Sequence, residues 1–138
     1  MRIILKPQDY NEILLYCQKK LPNEACGLLA GNIDGEIKTI EKVYCLTNLD
    51  QSPQHFSMDP QEQFTAIKEI RRMGWVLLGN FHSHPSSPAR PSQEDIHLAL
   101  DVNACYLILS LQDKGHPVFK SFKIIENVAI EIDILITA

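Results

Sequence analysis

No apolar stretch in this chain approaches the roughly twenty residues that a membrane-spanning helix needs. The N-terminal run Ile3-Ile4-Leu5 is also too brief for a signal-peptide core, so a cytoplasmic protein is the default expectation. A Cys-x-x-Cys pair is missing too. Cys17, Cys26, Cys45 and Cys105 are scattered, which argues against a disulfide frame or a four-cysteine zinc site and for reduced, mostly buried thiols. Nor is there a basic block: 13 Lys and Arg stand against 17 Asp and Glu, a net charge of −4, which disfavours a phosphate-tracking nucleic-acid surface. Repeats, linkers and low-complexity tracts are lacking. What remains is 138 residues, 45% hydrophobic, which predicts one domain over 1–138, long enough to bury a core without staples.

The periodicities predict an α+β fold, a mixed sheet flanked by about three helices. A short strand from Arg2 to Lys6 precedes a helix opened by Pro7 and running to about Lys20, with Tyr10, Ile13, Leu14, Cys17 and Leu21 on one face. Cys26 to Gly31 is a small-residue strand, Asn32 to Gly35 a turn and Glu36 to Leu46 the returning strand of a hairpin. Thr47 to Gln54 reads as a polar surface loop, and His55 to Met58 as a short strand or strand edge. Asp59-Pro60-Gln61-Glu62 starts a second helix to Met73, with Phe64, Ile67 and Ile70 inward. Trp75 to Leu78 has the continuous apolarity of a strand buried on both faces. A third helix is expected from Ser92 to about Asp101, with Ile96, Ala99 and Leu100 inward and His97 outward, followed by strands over 105–111, 117–125 and 129–136.

Chemistry concentrates at the end of the Trp75 strand. Successive strand side chains alternate faces, so His82 and His84 project together. The loop through Pro85, Pro88 and Pro91 can then fold back and deliver Asp95. Two imidazoles and a carboxylate would bind Zn²⁺ with one position open, as a catalytic site requires. Ser92 and Asp95 alone read equally as a helix cap, and a lone His-x-His as ordinary hydrogen-bonding residues; the joint pattern favours a site. Glu24, heading the small-residue strand, is locally a solvated loop carboxylate. Beside an open zinc site it becomes the group that takes a proton from the attacking water. His55 and Arg90 receive no role.

Glu24, His82-x-His84, seven residues and Ser92-x-x-Asp95 resemble the signature of the JAMM metalloproteases, also called the MPN-plus or Mov34 family. The Glu24-Ala25-Cys26-Gly27-Leu28-Leu29 strand, the segment from Phe56 to Pro60 and the loop from His84 to Ser92 extend the likeness over nearly the whole chain. The resemblance implies a JAB1/MPN-like fold with His82, His84 and Asp95 as zinc ligands and water in the fourth position. It implies Glu24 as proton acceptor and Ser92 as hydrogen-bond donor to the developing oxyanion. It also implies an (iso)peptidase acting after the Gly-Gly tail of a ubiquitin-like β-grasp or sulfur-carrier protein, as in compact prokaryotic-type members. Strand addition at an exposed sheet edge beside the zinc would suit such a tail. The alternatives are an inactive scaffold or binding module of the same fold, a zinc amidohydrolase acting on a small amide, and a cysteine hydrolase using Cys26 or Cys105.

Overall fold

The computed structural model describes residues 1–137. Seven strands and three helices follow one another as β1 (Arg2–Leu5), α1 (Pro7–Lys20), β2 (Cys26–Asp34), β3 (Ile37–Leu46), α2 (Pro60–Arg72), β4 (Val76–His84), α3 (Gln93–Leu98), β5 (Cys105–Ser110), β6 (Val118–Ile125) and β7 (Val128–Ile136). The fold class is α+β, as expected. No described helix is long and apolar enough to cross a membrane.

The strands hydrogen-bond in the order β1-β3-β2-β4-β5-β6-β7, and the order closes because β1 pairs in parallel with both β3 and β7. β4 and β5 are also parallel; the remaining pairs are antiparallel. Closure narrows where a strand could be added beside the histidines. β4, which carries both histidines, is bonded to β2 on one side and β5 on the other, so it offers no free edge for an added strand.

The pleat divides β4 between two environments. Phe81 joins Leu29, Leu107, Leu109, Ile3 and Leu5 in the main core, which Ile13 and Cys17 of α1 complete from one side. His82 and His84 point to the other face, where α2 covers Leu28 and Leu46 through Ala66. Close backbone packing under the site depends on Gly27: a Cβ there would collide with the Tyr44 carbonyl and the Phe81 ring.

Several local expectations are corrected. β2 continues to Asp34, and the turn is the shorter Gly35-Glu36, with Gly35 at φ 60. Phe64 is 60% exposed, because α2 turns Ala66 and Ile70 inward, and the ring lies under Lys68 instead. Val76 and Leu77 are 45% and 47% exposed, so the first residues of β4 are not buried on both faces. α3 stops at Leu98, and Leu100 beyond it is 92% exposed rather than inward. A local apolar pattern cannot distinguish these cases where neighbouring elements fail to cover a predicted face.

Candidate metal centre

His82 and His84 sit at the C-terminal end of β4, 2% and 4% exposed. Their Nε2 atoms lie 3.1 Å apart, and each lies 3.1 Å from Oδ2 of Asp95. Asp95 arrives through a capping box: Asp95 N–H donates to Ser92 Oγ at 3.0 Å, and Ser92 N–H donates to Asp95 Oδ2 at 2.9 Å. The cap and the triangle are thus one structure. The same serine that starts α3 aims the carboxylate.

The ring of His84 is oriented from behind. Its Nδ1 lies 2.8 Å from the Pro88 carbonyl; a carbonyl can only accept, so Nδ1 carries a proton and Nε2 is the ring atom turned inward toward Asp95. Burial pushes the His84 pKa down, but the Asp95 hydrogen bond, the Pro88 carbonyl and the charges of Asp95 and Glu24 outweigh it and raise it. For Asp95, burial pushes upward, yet hydrogen bonds with His82 and His84, the His82 charge and the Ser92 N–H hold its carboxyl well below the usual range. Three ligand atoms gathered this tightly form a candidate metal site. Their mutual spacing matches the edge of a zinc tetrahedron, about 3.3 Å for ligands at about 2.0 Å, and a two-imidazole, one-carboxylate set suits Zn²⁺. The residues present fit the ion.

Glu24 precedes β2 and is 5% exposed. The β2–β4 register aligns Cys26 with His82, and Ser83 N–H donates to the Ala25 carbonyl, so the following step of the ladder places Glu24 beside His84. Glu24, His84 and Ser92 line one cleft of about 290 Å³ with Pro53, Gln54, Ser86 and Ser87. Burial pushes the Glu24 carboxyl up to about 8; His84 opposes the rise, and Asp95 and Glu94 add to it. The five residues singled out in the sequence therefore converge.

Other residues at the centre were assigned no role from the sequence. Asn48 donates through its amide to the carbonyls of Glu24 (3.1 Å) and His55 (2.9 Å), and its Oδ1 accepts from the N–H groups of Asp50 and Ser57 (both 3.0 Å). Glu24 N–H in turn donates to the Ser52 carbonyl at 2.8 Å. The predicted surface loop is thus the mount of Glu24. Just beyond it, in the segment 55–58 expected as a short strand or strand edge, only Met58 forms an isolated bridge, with Asn48; Phe56 stacks on the His82 ring, centroids 4.7 Å apart, and His55 meets Glu94 at 2.6 Å. Arg90 lines a separate cleft with Pro88, Ala89, Ser110, His116 and Lys120 among its walls. The thiols raised as rivals are poor nucleophiles: burial pushes Cys26 up to about 12 and Cys105 to about 11.

Comparison with known proteins gives a consistent picture. Residues 7–125 match the family described as prokaryotic homologs of the JAB domain. Over 129 residues, 94% of this chain and 87% of the relative, the chain is 27% identical to the CysO-cysteine peptidase of Mycobacterium tuberculosis. It is 34% identical over 103 residues to the probable TtuB-protein conjugate cleaving protease of Thermus thermophilus, covering 65% of this chain and 66% of that one. The solution structure of a protein from Desulfitobacterium hafniense superposes with a TM-score of 0.90 at 53% identity, covering 98% of this chain and 92% of that chain.

Proposed function

The chain belongs to the prokaryotic homologs of the JAB domain, and from that premise we propose that it is a zinc-dependent metallopeptidase. Its substrate is the peptide or isopeptide bond that follows the Gly-Gly tail of a ubiquitin-like β-grasp or sulfur-carrier protein. The observation that carries the reading is the buried triangle of His82, His84 and Asp95, with Glu24 and Ser92 sharing a cleft with His84. Relatives named for cleaving CysO-cysteine and TtuB conjugates support the substrate class.

Zinc held by the triangle would polarise the scissile carbonyl and bring the ionisation of water toward neutral pH. The other steps belong to the chain. Glu24, as the carboxylate, takes one proton from the attacking water and passes it to the leaving amine. Ser92 Oγ accepts from the Asp95 N–H, which leaves its own hydroxyl proton available to the oxyanion that grows on the carbonyl. The Pro88 carbonyl keeps the His84 proton on Nδ1 throughout, so that Nε2 remains a ligand atom.

The test pairs elemental analysis with turnover of a β-grasp protein carrying a C-terminal extension after Gly-Gly. The parent should hold about one zinc per chain and release the extension. Glu24→Gln should keep the zinc and lose turnover by at least about 100-fold, whereas His84→Ala should lose both. Full turnover by Glu24→Gln would remove that residue from the proton-transfer role. A parent that takes up no metal, even after zinc is supplied, would sink the metallopeptidase reading.

A further inference from the structure

The two histidines of the triangle are supported differently. His84 has the Pro88 carbonyl behind it, but Nδ1 of His82 is buried without a hydrogen-bond partner. A metal-binding histidine ordinarily donates its second ring N–H to a carbonyl or carboxylate, which fixes both ring orientation and tautomer. The same-face neighbour of His82 along β4, Asn80, does not serve, since its own buried Oδ1 is also unpaired. What meets the His82 ring is Phe56, stacked at 4.7 Å between centroids with only 26° between the planes.

Phe56 is itself held from both sides. The Asn48 amide binds the carbonyl of His55 before it and the N–H of Ser57 after it. The His55 side chain adds a 2.6 Å contact from Nδ1 to the Glu94 carboxylate, beside Asp95 on α3. The loop between β3 and α2 is thereby tied to the helix that supplies the third ligand. Its aromatic ring is pressed onto the first.

From this geometry we infer that Phe56 is the positioning residue of the metal centre: its ring takes the place of the missing hydrogen bond and keeps His82 Nε2 directed at His84 and Asp95. A stacked face fixes the plane of the imidazole without consuming a ring nitrogen. Leucine at 56 would fill similar space but impose no ring plane. Tyrosine would restore the face.

The inference rests on the zinc reading above, and the test separates the two. Zinc affinity is measured on the whole chain by competition with a chromogenic chelator, and the melting temperature of the metal-free protein is followed in parallel. Phe56→Leu should weaken zinc binding about tenfold or more, while Phe56→Tyr stays within about threefold of the parent. The metal-free melting temperatures of the three should coincide, because Phe56 is only half-buried. Parent-like affinity in Phe56→Leu would overturn the role of Phe56, and so would an equal loss in Phe56→Tyr. A parent without zinc affinity would overturn both this inference and the metallopeptidase reading.

Discussion

Ala25 and Ser83 hold each other in both directions: Ala25 N–H donates to Ser83 Oγ at 2.8 Å, and Ser83 N–H donates to the Ala25 carbonyl at 3.0 Å. Ser83 lies between the two histidines and Ala25 directly follows Glu24, so this clasp links the segment carrying the Glu24 carboxylate to the strand carrying both histidines. Ser83 is fully buried. Its hydroxyl supplies what an ordinary ladder carbonyl would supply elsewhere.

Ser83→Ala should therefore leave the Ala25 N–H buried without an acceptor, at about 1–3 kcal/mol of stability. Zinc content should be retained, since neither ligand ring is touched, while turnover falls as Glu24 loses its register. Thermal melting, elemental analysis and rate on one preparation check all three. Unchanged turnover in a destabilised variant would confine the clasp to a structural role.

Asn48→Asp tests the loop mount in a different way. The carboxylate keeps the acceptor that receives the Asp50 and Ser57 N–H groups but loses the donor to the Glu24 and His55 carbonyls. It also faces two carbonyl oxygens with a negative charge. The expected result is a loss of about 1–3 kcal/mol in stability and slower turnover, with a smaller effect in Asn48→Ser, which retains a hydroxyl donor. Equal melting temperatures for Asn48→Asp and the parent would remove the mount from the account.

Chelation and thiol alkylation should have opposite effects. Cys17, Cys26 and Cys105 are buried, and burial pushes all four thiols, including half-buried Cys45, up to between about 11 and 12. Little thiolate is present at neutral pH, so iodoacetamide should leave hydrolysis intact over an hour at pH 7, whereas a strong chelator should abolish it and added zinc restore it. Inactivation by the alkylating reagent, with protection by substrate, would revive a cysteine mechanism.

Asp9 supplies a pH dependence remote from the metal centre. Burial raises its pKa, Lys6 opposes the rise, and Glu12 and Glu41 add to it; Oδ2 has no hydrogen-bond partner. A raised folded value means that the protonated form contributes stability, complete below the ordinary value of 3.8 and lost as pH rises through the folded value. Asp9→Asn should accordingly be more stable than the parent at pH 7, by a few tenths to about 1 kcal/mol after allowing for the screened, half-exposed Lys6. The advantage should vanish by about pH 3. Denaturant titrations at the two pH values measure it, and an advantage that persists at low pH would point to helix propensity instead.

Much of the site was legible because its signals are local. Period-two spacing places His82 and His84 on one face whatever the strand packs against, and Ser92-x-x-Asp95 encodes its own capping geometry. Phe56 and Phe64 show where legibility stops. Helical periodicity assigned Phe64 inward, while Phe56 lay in a segment without a clear period. The fold exposes Phe64, because α2 turns Ala66 and Ile70 toward the sheet, and it stacks Phe56 on the His82 ring. Asn48 and Ser83 were silent for a related reason: their partners lie in other parts of the chain, and nothing in an Asn or a Ser announces whose backbone it will bind.

Residue type and short spacing were enough for the α+β class, the order of most elements, the candidate ligands and the chemistry that such ligands favour. Tertiary structure alone decided that the strand order closes, that β4 has no free edge, and that Glu24 stands beside His84. Those outcomes depend on the register of β2 against β4 and on the two-sided pairing of β1. A one-residue slip in register would send Glu24 to the opposite face. Register is set by the packing of the whole barrel and by clasps such as Ala25–Ser83, which exist only once the strands have met.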